Sequence, residues 1–128
     1  MNRKIVIVAT SLLIMAIILG AFGAHGLKEL VSPERLQTFE VGVKYQFYQG
    51  LGLLFLGLNS DKFTISMKAV WSLLILGTLM FSVSIYFLAI QEVLGMNLKF
   101  LGPVTPIGGL LMVIGWSLFL WNIIRQKK

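Results

Sequence analysis

The chain has 128 residues, of which 57% are hydrophobic and 12% are charged, and its mean hydropathy is +0.87. Because soluble domains carry about 25% charged residues, this composition excludes an ordinary soluble protein and predicts one membrane domain over residues 1–128. The formal net charge of +6 does not indicate nucleic-acid binding, since the basic residues flank apolar segments. The absence of cysteine excludes disulfides and thiolate chemistry.

The first apolar segment covers residues 5–24. At about 1.5 Å per residue it is long enough to cross a hydrocarbon core of about 30 Å, and we predict it to be the first transmembrane helix. A cleaved signal peptide is the alternative, because basic residues precede the segment and a small-x-small pattern lies near its end. The length of the segment and the helix-packing spacing of Ala16, Gly20 and Ala24 favour the span.

A charged segment follows the first span and contains a helix start. Ser32 is expected to cap that helix, with Pro33 at its first position. Leu36, Phe39 and Val43 then recur at i, i+3 and i+7 among polar residues, which is typical of an amphipathic helix at a membrane surface. We therefore expect an interfacial amphipathic helix between the first and second spans, with no breaker between it and the second span.

Three further spans are predicted, at residues 41–58, 69–90 and 107–124, which makes the fold an all-α membrane four-helix bundle. The second span is short, and the side chain of Lys44 near its start is expected to extend to the interface. Small and polar residues share one face of this span, so we expect that face to contact other helices. They are Gly42, Gln46, Gln49, Gly50 and Gly57, and Leu53 lies on the same face.

The distribution of basic residues predicts the orientation of the four spans. Seven basic residues lie on the same side as the two termini, and four lie on the other side. Because cytoplasmic segments carry the excess of lysine and arginine, both termini are expected in the cytoplasm.

The chain contains four short motifs in a particular order and spacing: GAFGAHGL at residues 20–27, Tyr-Gln at 45–46, TPIGG at 105–109 and Gly-Trp at 115–116. Together they resemble the YgdD-like family of small bacterial membrane proteins, which is related to the transmembrane protein 256 family. The resemblance covers nearly the whole chain and implies four transmembrane helices in the bacterial cytoplasmic membrane, but no chemistry. Where the family often has a second histidine, this chain has Gln49, which cannot titrate.

A candidate site is predicted where the end of span one and the starts of spans two and four meet, at the outer face of the membrane. Thr105 is expected to cap the fourth helix, leaving the backbone N–H groups of the following glycines open to an anion or a lipid headgroup. The alternative is a structural role for the same residues in starting and packing the helix. The candidate residues are His25, Tyr45, Gln46, Gln49, Thr105, Gly108 and Gly109.

No catalytic grouping, phosphate-binding loop or dinucleotide fingerprint occurs in the sequence, so we expect no enzyme activity and no cofactor. One histidine with scattered carboxylates also does not predict a metal site. We expect a non-catalytic structural or interaction role in the lipid bilayer, with a lipid or small amphiphile bound at the outer end. The alternative is a subunit of a small oligomeric transporter or channel. That alternative requires a homo-oligomer, because one four-helix bundle has no room for a conduction path.

Overall fold

The computed structural model describes residues 1–126, and all regular structure in that part of the chain is helical. Short 3-10 turns lie in the three connections between long helices. The four long helices are α1 (Arg3–Ala24), α2 (Pro33–Leu58), α3 (Lys68–Leu94) and α4 (Val104–Arg125). Three of these, α1, α3 and α4, are long and apolar enough to cross a membrane. The prediction of an all-α fold is confirmed, and three of the four predicted spans are candidate membrane spans by length and composition.

Helix α2 joins two predicted elements into one helix of 26 residues. It begins as predicted, with Pro33 as its first residue and the Ser32 hydroxyl accepting a hydrogen bond from the Arg35 N–H at 3.3 Å. As predicted, no breaker separates the amphipathic segment from the second predicted span, and the helix continues unbroken. The location of that segment at the membrane surface stays a prediction. Phe39 is buried next to Gly23 of α1, so the apolar face of the amphipathic segment packs on protein.

Consecutive helices pack against each other in antiparallel pairs along the bundle. The bundle therefore has two ends, each formed by all four helices. The His25 end holds the last residues of α1 and α3 and the first residues of α2 and α4. The basic end is opposite and includes Arg3, Lys4, Lys62, Lys68 and Arg125.

The predicted packing face of α2 is confirmed except at Gln49, which is half-buried. Gly42, Gln46, Gly50, Leu53 and Gly57 are all buried. The glycines on this face allow α1 and α3 to approach α2 closely, as the small-residue spacing predicts.

Helices α3 and α4 cross with their backbones in contact. A Cβ atom added at Gly108 would lie 2.5 Å from the backbone nitrogen of Phe81 and 2.8 Å from the carbonyl oxygen of Gly77. Further along, Gly115 lies directly against Leu74. Helix α4 lies on the outside of the bundle. Its only buried residues are Gly108, Met112 and Gly115.

Candidate functional site

The seven predicted site residues lie in different parts of the bundle. His25 is exposed at the end of α1, and its side chain makes no hydrogen bond within residues 1–126. Since α1 ends at Ala24, His25 and Glu29 do not share a helix face. Gln46 binds α1 at Leu12, which lies about 20 Å along the helix from His25. His25 and Gln46 therefore do not belong to one site.

Gln46 is buried between three helices, with 5% of its surface exposed. Its Nε2 donates to the carbonyl oxygen of Leu12 in α1 at 2.8 Å. Its Oε1 accepts a hydrogen bond from the hydroxyl of Tyr86 in α3 at 2.6 Å. Because both ends of the amide are occupied within the protein, Gln46 holds α1, α2 and α3 together and is not free to bind a ligand.

Thr105 does not cap α4, so that prediction is wrong. The helix begins at Val104, two residues before the start that a Thr105 cap would give, and it has no side-chain cap. Thr105 lies in the first turn, where its Oγ1 is 2.6 Å from the Oγ of Ser84 in α3. The hydroxyl is used for a contact between helices, because the close approach of α3 and α4 brings Ser84 within reach.

Gly108 and Gly109 do not form an open anion site at the start of α4. Only the first four N–H groups of a helix lack a partner within the helix, and Gly108 is the fifth residue of α4. Gly108 is also covered by Gly77 and Phe81. The structure thus gives Gly108 a packing role.

Three of the predicted residues do meet, in a groove between α2, α3 and α4 that we call the α2/α4 groove. It has a volume of about 510 Å³ and opens on the surface of the bundle. Tyr45 and Gln49 line it from α2, and Gly109 lines it from α4. Phe81, Met112 and Trp116 form most of the remaining apolar wall.

Trp116 makes a polar contact in this groove, although the sequence did not predict it as part of a site. Its Nε1 donates to the Oε1 of Gln49 at 2.8 Å. Its ring lies over Gly52, where an added Cβ would approach a ring atom to 2.7 Å. The sequence does contain one indication of this contact, because Trp116 lies in the middle of a predicted span. An indole N–H at that depth needs an acceptor from a neighbouring helix.

The α2/α4 groove presents two hydrogen-bond donors without acceptors in the described part of the chain. The bond from Trp116 occupies Gln49 Oε1 and leaves the Nε2 amide group unpaired. The hydroxyl of Tyr45 is also unpaired, while its ring packs on Phe81 with centroids 5.0 Å apart. Tyr45 is 40% exposed. The groove therefore combines an apolar wall with donors that match an ester carbonyl or a phosphate oxygen.

The family model described as "Protein of unknown function (DUF423)" matches residues 19–109. The chain belongs to the DUF423 family. The matched segment runs from the end of α1 into the first turns of α4, and it includes Tyr45, Gln49 and Gly109 but not Trp116.

Several bacterial relatives carry the name UPF0382 membrane protein. One from Staphylococcus epidermidis is 45% identical over 102 residues, which is 80% of each chain. One from Staphylococcus saprophyticus is 42% identical over 102 residues, covering 80% of this chain and 81% of the relative. UPF0382 membrane protein YwdK of Bacillus subtilis is 35% identical over 105 residues, covering 80% and 81%. No solved structure matches the chain. This DUF423 member is therefore similar to bacterial membrane proteins of an uncharacterised family.

Proposed function

We propose that this DUF423 chain is a four-span, non-catalytic protein of the bacterial cytoplasmic membrane, which binds a lipid or another amphiphile in the α2/α4 groove. Both termini are cytoplasmic in this proposal, and the spans lie near residues 5–24, 41–58, 69–90 and 107–124. The relation to the YgdD-like and transmembrane protein 256 families, inferred from the motifs, is part of the same proposal.

The antiparallel packing of α2 supports a fourth span. Helix α2 lies against α1 on one side and α3 on the other, and both neighbours are candidate spans. From Tyr45 to Leu58 it contains no charged residue. Its charged first turns reach the His25 end, where Arg35 donates to the Leu88 carbonyl at 2.9 Å and to Glu92 at 3.2 Å. A helix in this position crosses the bilayer together with its neighbours.

The unpaired amide of Gln49 carries the proposal for the groove. Polar groups at membrane depth require a partner, because hydrocarbon supplies none. The partner must come from outside the described residues, since Trp116 occupies only the oxygen of the amide. A lipid chain along Phe81 and Met112, with an ester carbonyl at Gln49 and Tyr45, satisfies both donors.

Retention of lipid by the purified protein in native mass spectrometry tests this proposal. Gln49→Leu keeps the side-chain volume and removes the donor, together with the oxygen that accepts from Trp116, whereas Tyr45→Phe removes only a hydroxyl. We expect each variant to lower lipid retention about fivefold, the effect of losing one hydrogen bond of about 1 kcal/mol. Asn122→Leu is the matched control, because it removes an amide from α4 outside the groove. Unchanged retention in the first two variants, or an equal loss in the control, would contradict the proposal.

The alternative function is a subunit of a small oligomeric transporter or channel. The groove opens sideways, so a second copy would have to close it into a path. Solute flux into vesicles that contain the protein, blocked by Gln49→Leu, would favour this alternative over lipid binding.

A further inference from the structure

The charged side chains are distributed unevenly between the two ends of the bundle. At the His25 end, four acidic and four basic residues balance each other. They are Glu29, Glu34, Glu40, Glu92, Lys28, Arg35, Lys44 and Lys99. At the basic end, five basic side chains of the described residues face a single acidic one, Asp61. None of those five lies within 4.0 Å of an acidic side chain in residues 1–126.

A second groove, which we call the α1/α3 groove, lies at the basic end and has a volume of about 420 Å³. Ile5 of α1 contributes one wall. The other wall is formed by the first three turns of α3, mainly by Trp71, Ile75 and Leu79. This groove is separate from the α2/α4 groove and shares no residue with it.

The polar residues of the α1/α3 groove are confined to its mouth. Lys68 is the first residue of α3, and Ser72 lies one helical turn further on the same face. Both side chains are exposed. Beyond Ser72 the lining is apolar down to Leu79. The distance from Lys68 to Leu79 along α3 is about 16 Å, which is half of a hydrocarbon core of about 30 Å. The groove thus has the depth and polarity of one leaflet.

We infer that the α1/α3 groove binds one anionic glycerophospholipid from the leaflet at the basic end. The phosphate of the headgroup pairs with the ammonium group of Lys68, and the Ser72 hydroxyl donates to an oxygen of the glycerol ester region. One acyl chain lies along Ile75 and Leu79. This site does not depend on the proposed function of the α2/α4 groove.

Charge complementarity decides the class of lipid. Basic pockets between transmembrane helices favour anionic headgroups, with each basic residue near the surface contributing about 1 kcal/mol. A zwitterionic lipid brings its own cation into an end of the bundle that already holds five basic side chains. An anionic lipid supplies the charge that this end lacks.

Fluorescence quenching by brominated lipids tests the inference, because Trp71 lines the groove. The chain has three tryptophans, so Trp116→Phe combined with Trp121→Phe leaves Trp71 as the only emitter. The protein is placed in phosphatidylcholine vesicles that contain increasing fractions of brominated phosphatidylglycerol or brominated phosphatidylcholine. We expect half-maximal quenching at an about fivefold lower fraction of the anionic lipid, which corresponds to about 1 kcal/mol of preference.

Two single substitutions separate a bound lipid from a general surface potential. Lys68→Gln is expected to abolish the preference for phosphatidylglycerol. Lys62→Gln also removes one positive charge at the basic end, but outside the groove. This variant is expected to retain the preference for phosphatidylglycerol. Ser72→Phe fills the mouth of the groove and is expected to reduce quenching by both lipids. Equal quenching by the two brominated lipids in the parent protein, or an equal loss of preference in the two lysine variants, would overturn the inference.

Discussion

Gln46 shows how one polar residue is used inside a membrane bundle. Its position on the small-residue face of the second span predicted that it contacts protein, and the structure places it 5% exposed between three helices. Its two partners, the Leu12 carbonyl and the Tyr86 hydroxyl, belong to different helices. The residue pattern predicts a ligand site at Gln46 because it identifies a buried face of α2 but not the partners on that face.

Replacing Gln46 with leucine is expected to lower the free energy of unfolding by about 1–3 kcal/mol, because the buried Tyr86 hydroxyl loses its acceptor. Thermal unfolding in detergent micelles measures the change. Tyr86→Phe should lower the free energy of unfolding by less, because Gln46 then loses the bond to its oxygen but keeps the bond from its Nε2 to Leu12. The double variant should cost about as much as Gln46→Leu alone, as expected for residues in contact. Additive losses would contradict a direct bond between the two side chains.

Gly108 and Gly109 are adjacent in the sequence but have different environments where α4 crosses α3. A Cβ atom at Gly108 would collide with backbone atoms of α3, whereas at Gly109 it would lie 3.6 Å from the Phe81 ring, an ordinary contact. The sequence identified both as packing or anion-binding residues. The difference arises from the rotation of α4 about its axis, which packing against α3 determines.

Gly108→Ala is expected to destabilise the protein by about 1–3 kcal/mol, because the helices must separate to accept the methyl group. Gly109→Ala is expected to be neutral or to stabilise α4 by up to about 1 kcal/mol through helix propensity. Denaturation midpoints of the two variants, compared under the same detergent conditions, check this pair. A similar loss for both would show that α4 is rotated differently.

At the scale of the whole molecule, a four-span topology predicts on which side of the membrane each connection between helices lies. Because the chain has no cysteine, single cysteines can report the side on which each connection lies. His25, Thr64 and Asn97 are exposed residues in the three connections. In intact bacterial cells, a membrane-impermeant maleimide should label His25→Cys and Asn97→Cys but not Thr64→Cys.

Opening the cells should allow labelling of Thr64→Cys, which serves as the positive control. Labelling of His25→Cys and Thr64→Cys in intact cells, with Asn97→Cys protected, would show that α2 does not cross the membrane while α1 and α3 do. Labelling of Thr64→Cys alone would show that the chain has four spans in the inverted orientation, with both termini outside.

The sequence by itself determined the membrane class of the protein, the helical fold and the face of α2 that packs on protein. These properties depend on local features: the length of apolar runs, the spacing of small residues and the start signal at Ser32 and Pro33. Only the tertiary structure decided that Gln46 is enclosed and that Gln49 shares a groove with Trp116. The physical reason is that the depth and rotation of each helix depend on close packing along its entire length, which residue spacing within a single helix does not specify.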